Sequence, residues 1–130
     1  MIVIDASVIV EILLRTTDGI MIFERLAEDG RSWHAPYLID VEVTQVLRRY
    51  AAQGSLPPAR AAESLQLLRA MPVRRYAHEP LLDRMWALRS NLTAYDAAYV
   101  ALAEGLRTPL VTRDRKLAAA PGLVAGVELV

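Results

Sequence analysis

Four acidic residues of the chain lie within or close to apolar segments, where a carboxylate needs a specific reason to be. They are Asp5, Glu42, Asp96 and Asp114. Burying an unpaired carboxylate is costly, and carboxylates that lie close together repel one another unless a cation joins them. Oxygen ligands without histidine or cysteine favour hard ions such as Mg²⁺ or Mn²⁺. If the fold brings these acids together, the pattern predicts a metal-dependent site for phosphoryl transfer.

Two of the acids follow short apolar runs and precede helical patterns. Asp5 comes directly after Ile-Val-Ile, and Asp114 follows Leu-Val-Thr-Arg. Short, β-branched apolar runs are typical of buried strands in a parallel sheet. Because ligands of open α/β sheets bind beyond the carboxyl ends of the strands, both acids are placed where such folds do chemistry. Each of them could instead act only as the N-cap of the helix that follows it.

Glu42 lies on or beside the apolar stripe of a predicted helix. We take the inward stripe of that helix to be Ile39, Val43, Val46 and Tyr50, from their helical spacing. A solvated glutamate would be expected on the opposite face. Glu42 therefore needs a partner, or it must border a cleft.

Asp96 stands at the start of a helix that is apolar on every side. The segment Thr93-Ala94-Tyr95-Asp96 has the spacing of a capping box, with aspartate in place of the usual glutamate or glutamine. Capping alone could explain the residue. However, residues 97–103 are continuously apolar, which indicates a buried helix whose first turn carries Asp96.

Alternating strand and helix patterns predict how these acids are positioned. The predicted strands cover residues 1–4, 32–35, 72–76, 109–112 and 127–130. The predicted helices cover residues 7–14, 17–29, 37 or 40 to 52, 57–71, 80–90, 94–104 and 115–119. Strands that alternate with helices predict an α/β fold with a central parallel sheet covered on both faces, a three-layer α/β/α arrangement. We expect one domain spanning residues 1–130.

Composition excludes several classes of function. The 130 residues contain no cysteine, which rules out disulfides, thiolate metal sites and cysteine nucleophiles. Fifteen basic and fifteen acidic residues leave no net charge, so the sequence carries no broad basic footprint for nucleic acid. The hydrophobic content of 54% favours a protein partner. No apolar run approaches the ~20 residues of a membrane span, and we expect a cytoplasmic protein.

The remaining polar and aromatic residues give weaker signals. Arg113, Arg115 and Lys116 flank Asp114, where they either contact phosphate or belong to a solvated loop. His34 and His78 lie away from the acidic motifs, and a surface or structural role is expected for both. Met85 and Trp86 favour a place in the core or in a dimer interface over a platform for base stacking.

The ordered set of motifs resembles a known family. Asp5-Ala6-Ser7, Glu42, the segment from Leu92 to Ala103 and Thr112-Arg113-Asp114 are similar to the PIN-domain ribonucleases. More narrowly, they resemble the VapC toxins of bacterial type II toxin–antitoxin systems. The resemblance extends over the whole chain, and its four acids in this order are far more specific than any single motif.

This resemblance implies a PIN-like fold and a Mg²⁺- or Mn²⁺-dependent endoribonuclease. Carried over by position, Asp5 and Asp96 are the principal metal ligands and Glu42 completes the cluster. Asp114 either binds a second metal ion or positions water. Ser7 and Thr112 support the acids through hydrogen bonds. The family also implies a homodimer and a cognate VapB-type antitoxin.

Three alternatives bear on this interpretation. A response-regulator receiver needs an acidic pair near its first strand, and here that strand ends in a single acid. A haloacid-dehalogenase-type phosphatase needs Asp-x-Asp, and position 7 is serine. A non-catalytic PIN-like module that binds RNA or protein is the third. Such modules usually lack one or more acids, whereas this chain has all four.

Overall fold

Five parallel strands form the centre of the molecule. The computed structural model describes residues 1–130, and its strands are β1 (Ile2–Ile4), β2 (Trp33–Pro36), β3 (Val73–Tyr76), β4 (Leu110–Thr112) and β5 (Val127–Leu129). Their order in the sheet is β3-β2-β1-β4-β5, and every neighbouring pair is parallel. All three residues of β1 are fully buried, as its unbroken apolar sequence predicts.

Helices cover both faces of the sheet. They are α1 (Ala6–Leu14), α2 (Thr17–Asp29), α3 (Leu38–Ala52), α4 (Pro58–Ala70), α5 (Leu82–Ala87), α6 (Ala94–Leu106) and α7 (Arg115–Ala118). The three-layer α/β/α arrangement around a parallel sheet is the predicted fold class. No helix has both the length and the hydropathy needed to cross a membrane.

The order of the strands creates a crevice beside Asp5. From β1 the chain adds β2 and β3 on one side, and it later adds β4 and β5 on the other. The strand order therefore reverses between β1 and β4, which is where open α/β sheets bind their ligands. Asp5 directly follows β1, and Asp114 lies two residues after β4. The sheet thus brings two of the predicted acids to one edge.

Helix α6 contains a run of seven consecutive buried residues. Every residue from Ala97 to Ala103 is buried, and the helix packs against β1, β2 and β4. The Thr93 hydroxyl caps its start by accepting a hydrogen bond from the backbone N–H of Asp96 at 3.2 Å. This packing and this cap fix the first turn, which carries Asp96.

Most predicted elements differ from the structure by one or two residues at an end; α6, for example, continues to Leu106 instead of ending at residue 104. Two of the differences have a clear cause. The helix predicted at 80–90 is a 3₁₀ turn, Glu79–Leu81, followed by the short α5. It ends early because Leu88 turns into the core, and its carbonyl accepts the N–H groups of Asn91 and Leu92. The second strand covers Trp33–Pro36 rather than 32–35, since Pro36 closes the strand opposite Tyr76 and needs no N–H there.

Candidate active site

The Asp5 carboxylate is held from three directions. Its side chain is only 6% exposed, and it caps α1 by accepting the Val8 N–H at 3.3 Å. The Ser7 hydroxyl donates to Oδ1 at 2.5 Å, and the Thr112 hydroxyl donates to Oδ2 at 2.5 Å. Burial raises the pKa of Asp5 above its ordinary value, although these hydrogen bonds oppose the rise. Asp5 therefore caps α1 and also belongs to the candidate site.

The Ser7 and Thr112 hydroxyls also connect the ends of β1 and β4. Ser7 Oγ accepts the backbone N–H of Arg113 at 3.0 Å, and Thr112 Oγ1 accepts that of Asp114 at 3.0 Å. Each hydroxyl thus donates to Asp5 and accepts from the segment that carries Asp114. The supporting roles predicted for these two residues match the hydrogen bonds that they make.

Glu42 borders a cleft instead of facing the core. The fully buried stripe of α3 is Ile39, Val43 and Leu47, so the predicted stripe is confirmed at Ile39 and Val43 and wrong in the last turns of the helix. Val46 and Tyr50 are only half-buried, and they line the cleft together with Glu42. Leu47 follows Val43 by four positions, as Val43 follows Ile39, so the buried face continues through Leu47 and not through Val46. This position explains a glutamate beside an apolar stripe.

One oxygen of Glu42 has no hydrogen-bond partner. Glu42 Oε1 is buried and unpaired, and the buried Tyr99 hydroxyl beside it is unpaired as well. Burial is the main cause that raises the pKa of Glu42; the adjacent Tyr99 hydroxyl opposes this rise, and repulsion from Asp96 and Asp5 adds to it. The Tyr99 phenol, 2% exposed, has a pKa raised mainly by its burial and further by Glu42. Unpaired buried polar atoms are uncommon, and they suggest a missing partner at this point.

Asp96 and Asp114 complete the set of acids. Burial raises the pKa of the half-buried Asp96, and repulsion from Asp114 raises it further. Asp114 is exposed and caps α7, with both the Lys116 and Leu117 N–H groups donating to Oδ1. Because both bonds end on Oδ1, its second carboxylate oxygen remains available to a ligand.

All four acids line one cleft of about 340 Å³. The same cleft is lined by Ser7 and Tyr99. The pKa shifts link the acids in a chain of mutual repulsion, from Asp5 to Glu42, to Asp96 and to Asp114. The convergence predicted from the sequence is therefore found at the carboxyl edge of the sheet.

The residues of the cleft suit a hydrated divalent cation. No three of the carboxylates lie close enough to form a ready-made metal-binding group. Mg²⁺, however, usually keeps several waters and uses only one or two carboxylates directly. The unpaired Glu42 Oε1, the all-oxygen donor set and the mutual repulsion of the acids fit such an ion.

The three predicted phosphate-contacting cations differ in position. Arg113 lines the cleft, but its guanidinium also pairs with Asp18 at 2.9 Å. Arg115 and Lys116 are exposed in the first turn of α7 and do not line the cleft. Of the three, only Arg113 is thus placed beside the acids.

Sequence reasoning missed several residues of the cleft. They are Glu11, Arg49, Tyr50 as a lining residue, and Tyr99. Glu11 gave a usable signal, because it is the one charged residue in the apolar helix α1. Arg49 gave none, since it belongs to a polar stretch of α3 in which several residues are exposed.

The two histidines have structural roles outside the cleft. His34 is buried, with Nδ1 2.7 Å from the Tyr76 hydroxyl and Nε2 2.8 Å from the Ser32 hydroxyl. His78 Nε2 accepts the Leu38 N–H at 2.9 Å and so caps the start of α3. The structural role expected for both agrees with these contacts.

Met85 and Trp86 have different surroundings. Met85 packs against the core, as expected, whereas Trp86 is 70% exposed and does not belong to it. The Arg89 guanidinium lies over the Trp86 ring, with Cζ 4.6 Å from the ring centroid. Its short helix α5 places it on the surface because Leu88, not Trp86, turns inward. The predicted place in the core is therefore wrong for Trp86, and its place in a dimer interface stays a prediction.

Comparisons with known proteins agree with this geometry. The family model for the PIN domain matches residues 2–123. Ribonuclease VapC1 of Mycobacterium tuberculosis is 40% identical over 129 residues, which cover 98% of this chain and 96% of that protein. Ribonuclease VapC12 of the same organism is 41% identical over 130 residues, covering 100% and 99%.

Two solved structures have the same fold. PAE2754 from Pyrobaculum aerophilum superposes with a TM-score of 0.72 at 24% identity, covering 95% of this chain and 87% of that one. A chain of a toxin–antitoxin complex from Klebsiella pneumoniae gives a TM-score of 0.61 at 19% identity, covering 96% and 97%.

Proposed function

This chain belongs to the PIN-domain family, among its VapC ribonucleases, and from that premise we propose that it is a toxin that hydrolyses RNA phosphodiester bonds. The observation that carries the proposal is the convergence of Asp5, Glu42, Asp96 and Asp114 on one cleft. The cleft lies at the point where the strand order reverses, and the four acids are arranged there on four different elements.

We propose that the reaction depends on Mg²⁺ or Mn²⁺. Asp5 and Asp96 would be the principal ligands, with Glu42 completing the site and Asp114 either binding a second ion or positioning water. A divalent cation supplies charge neutralisation, an activated water and stabilisation of the phosphorane-like transition state. The unpaired Glu42 Oε1 and the raised pKa of the buried acids support this assignment.

The protein itself contributes rigidity and orientation. Ser7, Thr112 and the Val8 N–H hold Asp5 in one position, so that carboxylate need not reorganise on binding. Helix α6 fixes Asp96 through its buried packing and its Thr93 cap. Arg113 stands at the rim, where its guanidinium can exchange Asp18 for an RNA phosphate.

Cleavage of purified RNA tests the proposal. The full chain, incubated with bacterial total RNA and Mn²⁺, should generate defined new 5′ ends that sequencing can map. Asp96→Asn should abolish these ends, whereas Glu63→Gln, which changes an exposed acid on α4 outside the cleft, should leave them intact. RNA binding without cleavage by the wild-type chain, equal with and without Mn²⁺, would instead indicate a non-catalytic PIN-like module.

Partners follow from the same family. We propose a VapB-type antitoxin and a homodimer in the cytoplasm. Exposed apolar side chains support two protein interfaces, because all of the large ones except Met1, Val124 and Leu129 fall into two sets, grouped by the elements that carry them. One lies on α2 (Ile20, Met21 and Phe23), and the other lies on or beside α3, α5 and α6 (Tyr37, Val41, Leu82, Trp86 and Tyr95).

Growth and solution size test these partner proposals. Expression of the chain alone should arrest bacterial growth, and Asp96→Asn should relieve the arrest. Equal arrest by both proteins would contradict toxicity through the acidic site.

Light scattering on the purified chain should give twice the 14.4 kDa mass, and a monomeric mass at micromolar concentration would contradict the dimer.

A further inference from the structure

The cleft extends beyond the acids as a groove between α1 and α3. Val10 and Glu11 line it on α1, and Val46, Arg49 and Tyr50 line it on α3. The α3 residues follow Glu42 by four, seven and eight positions, so they share one helical face with it. Arg49 therefore lies about 10 Å along the helix axis from Glu42, given the 1.5 Å rise per residue. We call these five residues the α1–α3 groove.

Arg49 is a free cation in this groove. It is exposed, and it takes part in none of the five ion pairs of the molecule. By contrast, the other cation of the cleft, Arg113, is paired with Asp18. An unpaired guanidinium presents a planar fork of donors, which suits the oxygens of a phosphate.

Tyr50 lies directly beside that guanidinium. The Arg49 Cζ atom is 5.9 Å from the centroid of the Tyr50 ring, and the ring is half-buried along the wall of the groove. An arginine next to an aromatic ring is a combination that binds single-stranded nucleic acid, because the cation contacts phosphate and the ring contacts the base or sugar. A ligand with nothing but negative charge would need only Arg49, and Tyr50 would add nothing to its binding.

Glu11 makes the α1 wall of the groove negatively charged, whereas Arg49 makes the α3 wall positively charged. Glu11 accepts a hydrogen bond from the Thr16 hydroxyl and faces the groove from α1. Its negative charge repels phosphate from that wall, so the favourable place for a phosphate is the α3 side, next to Arg49. A carboxylate on the α1 side can accept hydrogen bonds from a sugar hydroxyl or a base amino group.

We propose that the α1–α3 groove binds the nucleotide that neighbours the scissile phosphodiester, with Arg49 on its phosphate and Tyr50 against its base or ribose. This inference rests on the proposed ribonuclease function and names part of its substrate contact. Arg49 is then a substrate-binding residue, and Glu11 keeps the RNA backbone on the α3 side.

RNA binding without cleavage tests the contact first. In the Asp96→Asn background, affinity for a fluorescein-labelled single-stranded 12-mer RNA of mixed sequence is measured by fluorescence anisotropy. Adding Arg49→Gln should weaken binding by about tenfold, as expected for the loss of one charge-assisted phosphate contact. The dependence of log K on log salt should also fall by about 0.7.

Arg48→Gln is the matched control. Arg48 is the preceding residue, is also exposed, and bonds through Nε to Gln45 Oε1 at 3.0 Å, outside the groove. The Arg48→Gln substitution removes the same charge from the same helix as Arg49→Gln. Because Arg48 lies outside the groove, its substitution should change the affinity for RNA by less than about twofold. Equal effects of the two substitutions would overturn the proposal, because the loss would then reflect net charge alone.

Steady-state cleavage separates binding from chemistry. In the otherwise wild-type chain, Arg49→Gln should raise KM several-fold and change kcat much less, and Arg49→Lys should restore part of the loss. A fall in kcat with an unchanged KM would contradict a binding role. An oligoglutamate peptide that displaced the RNA with the same dependence on Arg49 would also overturn the proposal, since the groove would then be a site for acidic peptide.

The outcomes distinguish this inference from the proposed function. If neither the wild-type chain nor any variant cleaves RNA but Arg49→Gln alone weakens its binding, the ribonuclease proposal fails, and the groove is an RNA-binding site with no scissile bond beside it. If the wild-type chain cleaves RNA and Arg49→Gln binds and cleaves it like Arg48→Gln, the ribonuclease proposal stands and the nucleotide site fails. Equal melting temperatures of the two variants confirm that neither result reflects unfolding.

Discussion

Thr112 and Asp5 are joined by a buried hydrogen bond that links the ends of two strands. The Thr112 hydroxyl donates to Asp5 Oδ2 at 2.5 Å and accepts the Asp114 N–H at 3.0 Å. One fully buried hydroxyl therefore couples the acid after β1 to the acid after β4. Ser7 makes the corresponding pair of bonds to Asp5 and to the Arg113 N–H. The site is oriented by these two hydroxyls as much as by the acids themselves.

Replacing Thr112 by valine should impair both activity and stability. The substitution keeps the shape of the side chain but leaves Asp5 Oδ2 and the Asp114 N–H without their partner. We expect RNA cleavage to fall by about 10–100-fold, the loss typical of residues that orient metal ligands, because Asp5 is a proposed ligand. The free energy of unfolding should fall by about 1–3 kcal/mol, which chemical denaturation measures. Thr112→Ser retains the hydroxyl and should keep most of the cleavage activity and most of the free energy of unfolding. Equal losses of activity and stability in Thr112→Val and Thr112→Ser would contradict this explanation.

The raised pKa of Glu42 predicts a pH-dependent effect of Glu42→Gln on stability. Because the folded state raises this pKa, it favours the protonated carboxyl. The resulting stabilisation is complete below the unfolded-state pKa of about 4.3 and is lost as pH rises through the raised value. In EDTA, Glu42→Gln should therefore melt above wild type at pH 8, and this difference should shrink towards pH 5. A difference that is constant from pH 5 to pH 8 would contradict the assignment.

Gly19 should tolerate no larger residue. A Cβ atom placed on it would lie 2.0 Å from the carbonyl oxygen of Glu11, where α2 crosses α1. We expect Gly19→Ala to force the helices apart and to lower the free energy of unfolding by about 2–3 kcal/mol. Gly105→Ala is the control, because nothing lies within 4 Å of its Cβ position in α6. That variant should be neutral or more stable, by up to about 1 kcal/mol. Similar denaturation midpoints for the two variants would refute the steric explanation.

Much of the fold could be predicted because local patterns and tertiary packing agree. Apolar β-branched runs predicted β1 and β4, and the Thr93 hydroxyl caps α6 as the capping-box spacing predicts. The helix predicted at 80–90 failed because its end is set by Leu88 turning into the core. No glycine or proline marks that turn in the sequence, so only tertiary packing reveals it.

The acids of the site could be predicted for a different reason. Asp5, Glu42 and Asp96 are charged residues in or beside apolar segments, and Asp114 follows an apolar strand. Parallel-sheet topology directs strand ends and helix starts to one edge. Arg49 and Tyr50 could not be found in this way, since an exposed arginine and a half-buried tyrosine on a helix are ordinary features. The phase of α3 was misread by one position in its last turns, where Leu47 replaces Val46 on the buried face. Only the packing of α1 against α3 shows which residues line the groove.

Binding of Mn²⁺ to the RNA-free chain tests most directly whether the four acids form one cation site. Calorimetry at pH 7.5 should detect Mn²⁺ binding to the wild-type chain, and Glu42→Gln and Asp96→Asn should each weaken it at least about tenfold. Glu63→Gln, on the exposed face of α4, should bind Mn²⁺ like wild type. If Glu42→Gln and Asp96→Asn bound Mn²⁺ as tightly as wild type, the acids would not hold the ion and the proposed metal dependence would be wrong.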